Sequence, residues 1–298
     1  MSVPHPFPYQ GSKRMLAWAI TACLPADMER LIEPFCGSAA LSIVSADHAA
    51  AHKVARRFVL NDINAPLMDL WRAIIETPDL IAEQYRTLWA AQAGQEKQFY
   101  FQIRDEFNRA CRPDHLLYLL ARCVKAAIRY NAQGEFNQSP DNRRKGMQPD
   151  TMARNLQDVS ALLRNRAILS AGDYRSIVQT ALSQDVLYLD PPYQGVCHKR
   201  DPRYLNRVSF DSFVEVLDDL NTKAMSFIVS YDGRSGSKSF GSTLPASLKL
   251  THFQIPAGRS AQATLLGRTD QTCESLYMSP VLLERLSGVP ANLRLYRV

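Results

Sequence analysis

The sequence predicts an α/β protein: an open sheet flanked by helices, with a mostly helical segment set into the middle of the chain. Three observations carry this reading. Short apolar runs rich in β-formers alternate with helical periods near both ends of the chain. Two of those runs stop at an acidic residue, Asp62 and Asp190, at the edge where open α/β sheets bind ligands. From Trp71 to about residue 166 the strand and helix rhythm lapses, as it does where one domain is inserted into another.

At 298 residues and 46% hydrophobic content, the chain can bury a substantial core, as one large α/β domain or a domain carrying an insertion. A formal charge of +6 and a pI near 9.0 suit a polyanionic partner and equally a basic enzyme. The six cysteines show neither a C-x-x-C pair nor Cys/His ligand spacing, so neither a metal site nor a disulfide framework is expected, and reduced cytosol is the default compartment. No basic region leads into an apolar core at the N-terminus, and no apolar run approaches the ~20 residues that span a bilayer. Neither export nor membrane attachment is expected.

The proline-rich lead passes into Tyr9-Gln10-Gly11-Ser12-Lys13-Arg14 and then a helical period over residues 15–24, ended by Pro25. Ser12 is placed to cap that helix. Lys13 in the first turn opposes the helix dipole, which makes sense if it serves an anion such as a carboxylate. Residues 31–41 read as a strand, a small-residue loop and the start of a helix that continues to about Ala51. Small residues let a ligand approach the backbone, and the helix start offers free N–H groups. Residues 59–64 form a second strand, and Asp62 at its end sits where nucleotide-type folds hold ribose hydroxyls. Its plainer role is to cap the helix beginning near Ala65-Pro66.

Residues 71–93, 99–108 and 115–127 read as helices. Between Lys97 and Arg166, thirteen Lys and Arg stand against seven Asp and Glu, an excess equal to that of the whole chain. Within this segment Ile128-Arg129-Tyr130-Asn131-Ala132-Gln133-Gly134-Glu135-Phe136-Asn137 alternates about a glycine turn and reads as a β-hairpin. The basic loop Arg143-Arg144-Lys145 follows. A projecting ribbon of this kind can enter a major groove, where Arg, Asn and Gln meet guanine or adenine edges. The plainer reading is a solvated loop with an ordinary charge run.

Strand and helix alternation returns with a strand at residues 167–170 that runs into Gly172-Asp173-Tyr174, a short helix at 177–182, and the apolar run Val186-Leu187-Tyr188-Leu189. Asp190-Pro191-Pro192-Tyr193 ends that run. Consecutive prolines remove two backbone donors and fix φ, holding the Asp190 carboxylate, the Pro191 carbonyl and the Tyr193 ring in one rigid array. Two acceptors and a ring are what a planar amine needs. Beyond it the sequence predicts a polar loop at 194–207, a helix at 210–221 and a strand at 226–231. Two further strands, at 247–255 and 274–279, are joined by a loop that carries Arg259.

Six pieces occur in a telling order: Tyr9-Gln10-Gly11-Ser12-Lys13, Glu33-Pro34-Phe35-Cys36-Gly37, Asn61-Asp62-Ile63-Asn64, Arg129-Tyr130-Asn131 with Gly134-Glu135-Phe136-Asn137, Gly172-Asp173-Tyr174, and Asp190-Pro191-Pro192-Tyr193. With them the chain resembles the Dam-like, or D12, class of S-adenosylmethionine-dependent DNA adenine-N6 methyltransferases over nearly its whole length. The resemblance implies a Rossmann-like methyltransferase fold with a seven-stranded mixed sheet, formed by residues 1–72 and 167–298. Residues 73–166 would be an inserted, mostly helical target-recognition domain with a β-hairpin. The implied cofactor, S-adenosylmethionine, would be held by Tyr9, Lys13, Pro34, Phe35, Cys36, Gly37, Ser38, Ala39, Asp62, Ile63, Asp173, Tyr174 and Asp190. Catalysis would fall to Asp190, Pro191, Pro192 and Tyr193. Contact with double-stranded DNA would fall to Lys125, Arg129, Asn131, Gln133, Asn137, Arg143, Arg144, Lys145 and Arg259.

The implied enzyme is cytoplasmic, a monomer or weak dimer, and part of a restriction-modification or phage or host DNA-marking system, any cognate endonuclease acting separately. Two departures modify the expectation. Gly37-Ser38-Ala39 lacks the family's usual second glycine, so a slightly different backbone path is expected. Lys125-Ala126-Ala127-Ile128 stands where GATC-reading members carry asparagine and glycine before the arginine, which argues against a GATC target. Rival readings are methylation of cytosine N4, methylation of RNA adenine, and a DNA-binding module with a decayed cofactor site.

Overall fold

The structure is a computed structural model that describes residues 3–192, 208–235, 238–240, 242–259 and 271–298; residues 234, 235, 238–240, 257–259, 271 and 272 are described by their backbone alone. Its strands are β1 (Arg30–Glu33), β2 (Arg57–Asp62), β3 (Ala167–Ala171), β4 (Val186–Leu189), β5 (Ser226–Ser235), β6 (Lys238–Phe240), β7 (Thr251–Arg259) and β8 (Gln271–Met278). Seven of them form one mixed sheet in the order β3-β2-β1-β4-β5-β8-β7, and β6 folds back on β5 as a short addition. The first five run parallel, while β8 lies antiparallel to both β5 and β7. Strand order reverses between β1 and β4, and a ligand crevice opens outside the carboxyl ends of the strands at such a reversal. All four residues of β4 are buried, as befits a central parallel strand covered on both faces.

The helices begin where local chemistry allows. Proline stands in the first turn of α3 (Ala65–Glu76), α4 (Pro78–Ala91), α6 (Pro113–Arg122) and α7 (Pro149–Leu163), where its missing N–H costs nothing. The α3 cap is Asn64, whose side chain accepts from the Leu67 N–H, so Asp62 is not the cap. The first helix, α1, is only Ala17–Thr21, and Ser12 does not cap it; the Ser12 hydroxyl instead pairs with that of Ser38 at 2.8 Å. The expected helix at 115–127 ends at Arg122 and gives way to a 3-10 turn, Val124–Ala126. Lys125 and Ala126 both take left-handed φ there, which no α-helix accommodates. α8 (Tyr174–Val178) starts earlier than expected because Asp173 caps it through the Arg175 N–H.

Helices α4, α6 and α7 pack around α3, and α5 (Glu96–Ala110) packs on α6; α3 passes the expected boundary at residue 72 without a break. Trp71, Tyr85, Tyr100 and Tyr118 are fully buried there, in one apolar core continuous with Leu31, Phe58 and Val186 of the sheet. The expected β-hairpin at 128–137 is a tight loop with a single bridge, Tyr130 to Phe136, rather than two strands. Asn131 accounts for this. Its side-chain oxygen accepts from the Gln133 and Glu135 N–H groups, closing a turn that competes with a regular ladder.

Candidate active site

Alternation along the strands decides which side chains meet. In β1, β2 and β4, Leu31, Phe58, Leu60, Val186 and Tyr188 face one core, the one that also contains Leu16 and Ala17 beside Lys13. Ile32, Val59, Leu187 and Leu189 face the other. The same two-residue period carries Glu33, Asp62 and Asp190 to the first face, just where each strand ends. A cavity of about 430 Å³ opens there, and all three carboxylates line it.

One end of the cavity is made by crossing loops. Asn61 donates its amide to the Pro34 and Gly172 carbonyls, at 2.9 Å each, and so ties together the loops after β1 and β3. Gly37 and Ala39 both take left-handed backbone, with φ of 46°. Gly37 donates its N–H to Asp62 Oδ2 at 3.2 Å, and its carbonyl accepts from the Trp71 indole. A Cβ on Gly37 would stand 3.0 Å from the Tyr9 ring, so the loop and the ring leave no room for a side chain. Burial raises Asp62 above the ordinary carboxylate range, while N–H groups of Asn64, Gly37 and Ile63 oppose that rise. Phe35 and Tyr174 pack with ring centres 4.8 Å apart, the Tyr174 hydroxyl is buried without a partner, and Ile63 is 38% exposed beside them.

The other end is ionic. Lys13 Nζ lies 3.0 Å from Asp190 Oδ1 and 3.6 Å from Glu274 Oε2. Burial works against the Lys13 charge, but Asp190 and Glu274 outweigh it and hold the ammonium above its ordinary range. Glu33 is 2% exposed and accepts the Ser42 N–H at 2.8 Å; burial pushes its carboxyl up to about 7. Neither glutamate was singled out from the sequence. Glu33 was legible as the first residue of its loop motif, whereas Glu274 had no such signal, being the polar end of the Leu276 and Met278 stripe on β8.

Of the expected cofactor residues, the structure brings Tyr9, Lys13, Pro34, Phe35, Cys36, Gly37, Ser38, Asp62, Ile63, Asp173, Tyr174 and Asp190 to this one cavity. Ala39 is buried behind it at the head of α2 (Ala40–Ala51), and Asp173 is engaged by Arg175 through two 2.9 Å bonds. Pro191 and Pro192 line the cavity, and Tyr193 lies outside the described residues. Among the described residues no group of His, Cys, Asp or Glu could hold a metal ion.

The expected nucleic-acid contacts are less uniform. Ile128 and Tyr130 line the cavity, whereas Arg129 between them does not; it is half-buried, with Nε lacking an acceptor. Lys125, Gln133 and Asn137 are exposed. Asn131 is committed to its own turn and to Glu135. Arg143 and Arg144 are held by buried Asp141, and Lys145 lies 3.9 Å from Glu96. For Arg259 only the backbone, at the end of β7, is described. No helix among the described residues is long and apolar enough to cross a membrane.

Known proteins are similar to this chain in sequence. A DNA adenine methylase of Serratia marcescens is 32% identical over 189 residues, 62% of this chain and 65% of that protein. A Type II methyltransferase of Lactococcus lactis subsp. cremoris is 28% identical over 62% of this chain and 64% of its own length. The DNA N-6-adenine-methyltransferase of Escherichia phage P1 is 29% identical over 63% of this chain and 24% of its own. These matches span less than two thirds of each relative. A family profile reaches further, aligning residues 9–256, from the Tyr9 that walls the Gly37 loop through the Asp190 strand to β7. By that match the chain belongs to the D12 class of N6 adenine-specific DNA methyltransferases.

Proposed function

We propose that the protein transfers a methyl group from S-adenosylmethionine to N6 of an adenine turned out of duplex DNA, at a target other than GATC. The observation that carries this reading is Asp190, fixed at the end of β4 by Lys13 at 3.0 Å and followed at once by Pro191 and Pro192 in the cavity wall.

The residues present fit the cofactor. Phe35, Tyr174 and Ile63 offer apolar surface to a flat base, and the unpartnered Tyr174 hydroxyl is a polar group awaiting a ligand. The Asp62 carboxylate suits ribose hydroxyls, and the Gly37 loop admits an amino-acid tail against its backbone. S-adenosylmethionine, when bound, supplies an electrophilic methyl group.

Adenine N6 is a poor nucleophile because its lone pair is delocalised into the ring. Asp190 and the Pro191 carbonyl accept its two hydrogens, which favours a pyramidal nitrogen with its lone pair directed out of the ring plane. Lys13 engages Oδ1 of Asp190. The other oxygen, Oδ2, is the acceptor we assign to the amine. The proton that N6 gives up after transfer passes to the Asp190 carboxylate and on to solvent; otherwise catalysis on this scheme is positioning and fixed electrostatics. Turning the base out costs a few kcal/mol, and Tyr193 is the ring assigned to stack on it.

Residues 73–166 form the proposed target-recognition segment. Their surplus of basic residues favours phosphate contact, and Arg129, half-buried between two cavity-lining residues with its Nε lacking an acceptor, is the proposed reader of a base edge. A host or phage DNA-marking role, with or without a separate endonuclease, follows from that activity. The test is incorporation of tritiated methyl groups from S-adenosylmethionine into duplex DNA. Incorporation into adenine supports the reading, and transfer to cytosine or to RNA alone overturns it.

A further inference from the structure

Glu274 reaches the site from a part of the chain remote from every recognised motif. It sits on β8, opposite Gly233 of β5 and Ile255 of β7. Beside it, β5 carries one extra residue between Ser230 and Gly233, with Asp232 in left-handed backbone at φ 56°. Such a bulge bends and twists a strand pair locally, and bulges gather beside functional sites for that reason. A Cβ at Gly233 would stand 3.1 Å from the Cys273 carbonyl, so a side chain there would crowd the neighbouring strand. The chain thus places a carboxylate two strands away from Asp190, at the same sheet edge and on the same lysine.

We propose that Glu274 is a positioning residue that anchors Lys13 together with Asp190, fixing the ammonium where it orients the Asp190 carboxylate for the amine; this rests on the catalytic reading of Asp190 given above. A lysine ammonium is a point charge on a flexible four-carbon stem, and one ion pair leaves it free to swing about its partner. Two carboxylates from different strands, at 3.0 and 3.6 Å, restrict that swing. They also keep Lys13 protonated although only 9% of its side chain is exposed. Glu274 is 21% exposed and lines the cavity beside Lys13, so replacing its charge disturbs geometry without opening the core.

The test reads Lys13 directly. Acetylation by an N-hydroxysuccinimide ester, followed by peptide mass spectrometry with exposed Lys53 as internal standard, reports how far the amine is held and protonated. Glu274→Gln should raise Lys13 labelling about tenfold, as loss of one close counter-charge implies, while Glu274→Asp stays near wild type. Asp190→Asn should raise Lys13 labelling by a similar or larger factor, because Asp190 is the nearer partner, but should stop well short of the Lys53 level, because Glu274 still holds the ammonium. In methylation assays, Glu274→Gln should lower kcat about tenfold with KM for S-adenosylmethionine nearly unchanged, as expected when transition-state geometry is lost. Unchanged labelling in Glu274→Gln, or full labelling in Asp190→Asn, overturns the anchor. Labelling needs no methyl transfer, so an inactive wild type with the expected labelling pattern would sink the catalytic reading of Asp190 and leave the Glu274 anchor in place.

Discussion

Lys13 Nζ lies 3.0 Å from Asp190 Oδ1, although one residue precedes the first helix and the other directly follows the fourth strand. The pair sets the first prediction. Asp190→Ala should lower methyl transfer by at least about 10²-fold, the scale of losing a fixed electrostatic contact in a transition state. Lys13 keeps Glu274 as a partner in that variant, so the fold should survive. Tritiated-methyl incorporation measures the first outcome and circular dichroism melting the second.

Arg129 sits between two cavity-lining residues and its Nε lacks an acceptor. Arg129→Ala should cost ~1–3 kcal/mol at one base pair of the target and relax preference there. Methylation-protection sequencing of a randomised site checks this; an unchanged preference would remove Arg129 as a base reader.

Gly37 combines a φ of +46° with a Tyr9 ring 3.0 Å from where a Cβ would stand. Gly37→Ala should therefore destabilise the protein by about 1–2 kcal/mol from the left-handed backbone alone. It should also weaken S-adenosylmethionine binding about tenfold or more by filling the approach. Calorimetric titration against urea-unfolding curves separates the two effects.

Glu33 makes stability depend on pH. Burial raises its folded carboxyl from 4.5 to about 7, so the folded state binds a proton that the unfolded chain has already released. The favourable contribution is complete below the unfolded value and is lost as pH rises through 7. Glu33→Gln, which keeps an acceptor for the Ser42 N–H, should match wild type near pH 4.5. It should gain on wild type as pH rises, by up to about 3 kcal/mol at pH 8. Urea unfolding at pH 5 and pH 8 measures it; a constant difference would show that Glu33 is not buried as a carboxyl.

Much of the site was legible because strand periodicity is local. Val186 to Leu189 followed by a carboxylate and two prolines specifies a buried strand and an edge acid without reference to the rest of the chain. The small-residue loop before α2 and the acid at the end of β2 were legible for the same reason. The recognition loop was less so, because Asn131 satisfies the turn's own N–H groups where alternation alone predicts a ladder. Ser12 illustrates a similar conflict: it had a cap's position, but the Ser38 hydroxyl 26 residues on took its bond.

By itself, then, the sequence determined the edge carboxylates Asp62 and Asp190, the glycine loop that precedes them, and the family to which their order belongs. Tertiary structure alone decided that Lys13 meets Asp190 and Glu274, that Glu33 is buried and raised, and that Arg143 and Arg144 rest on Asp141. The reason is physical: periodicity says which face of an element a side chain occupies, whereas ion pairing and desolvation depend on which faces the sheet order brings together.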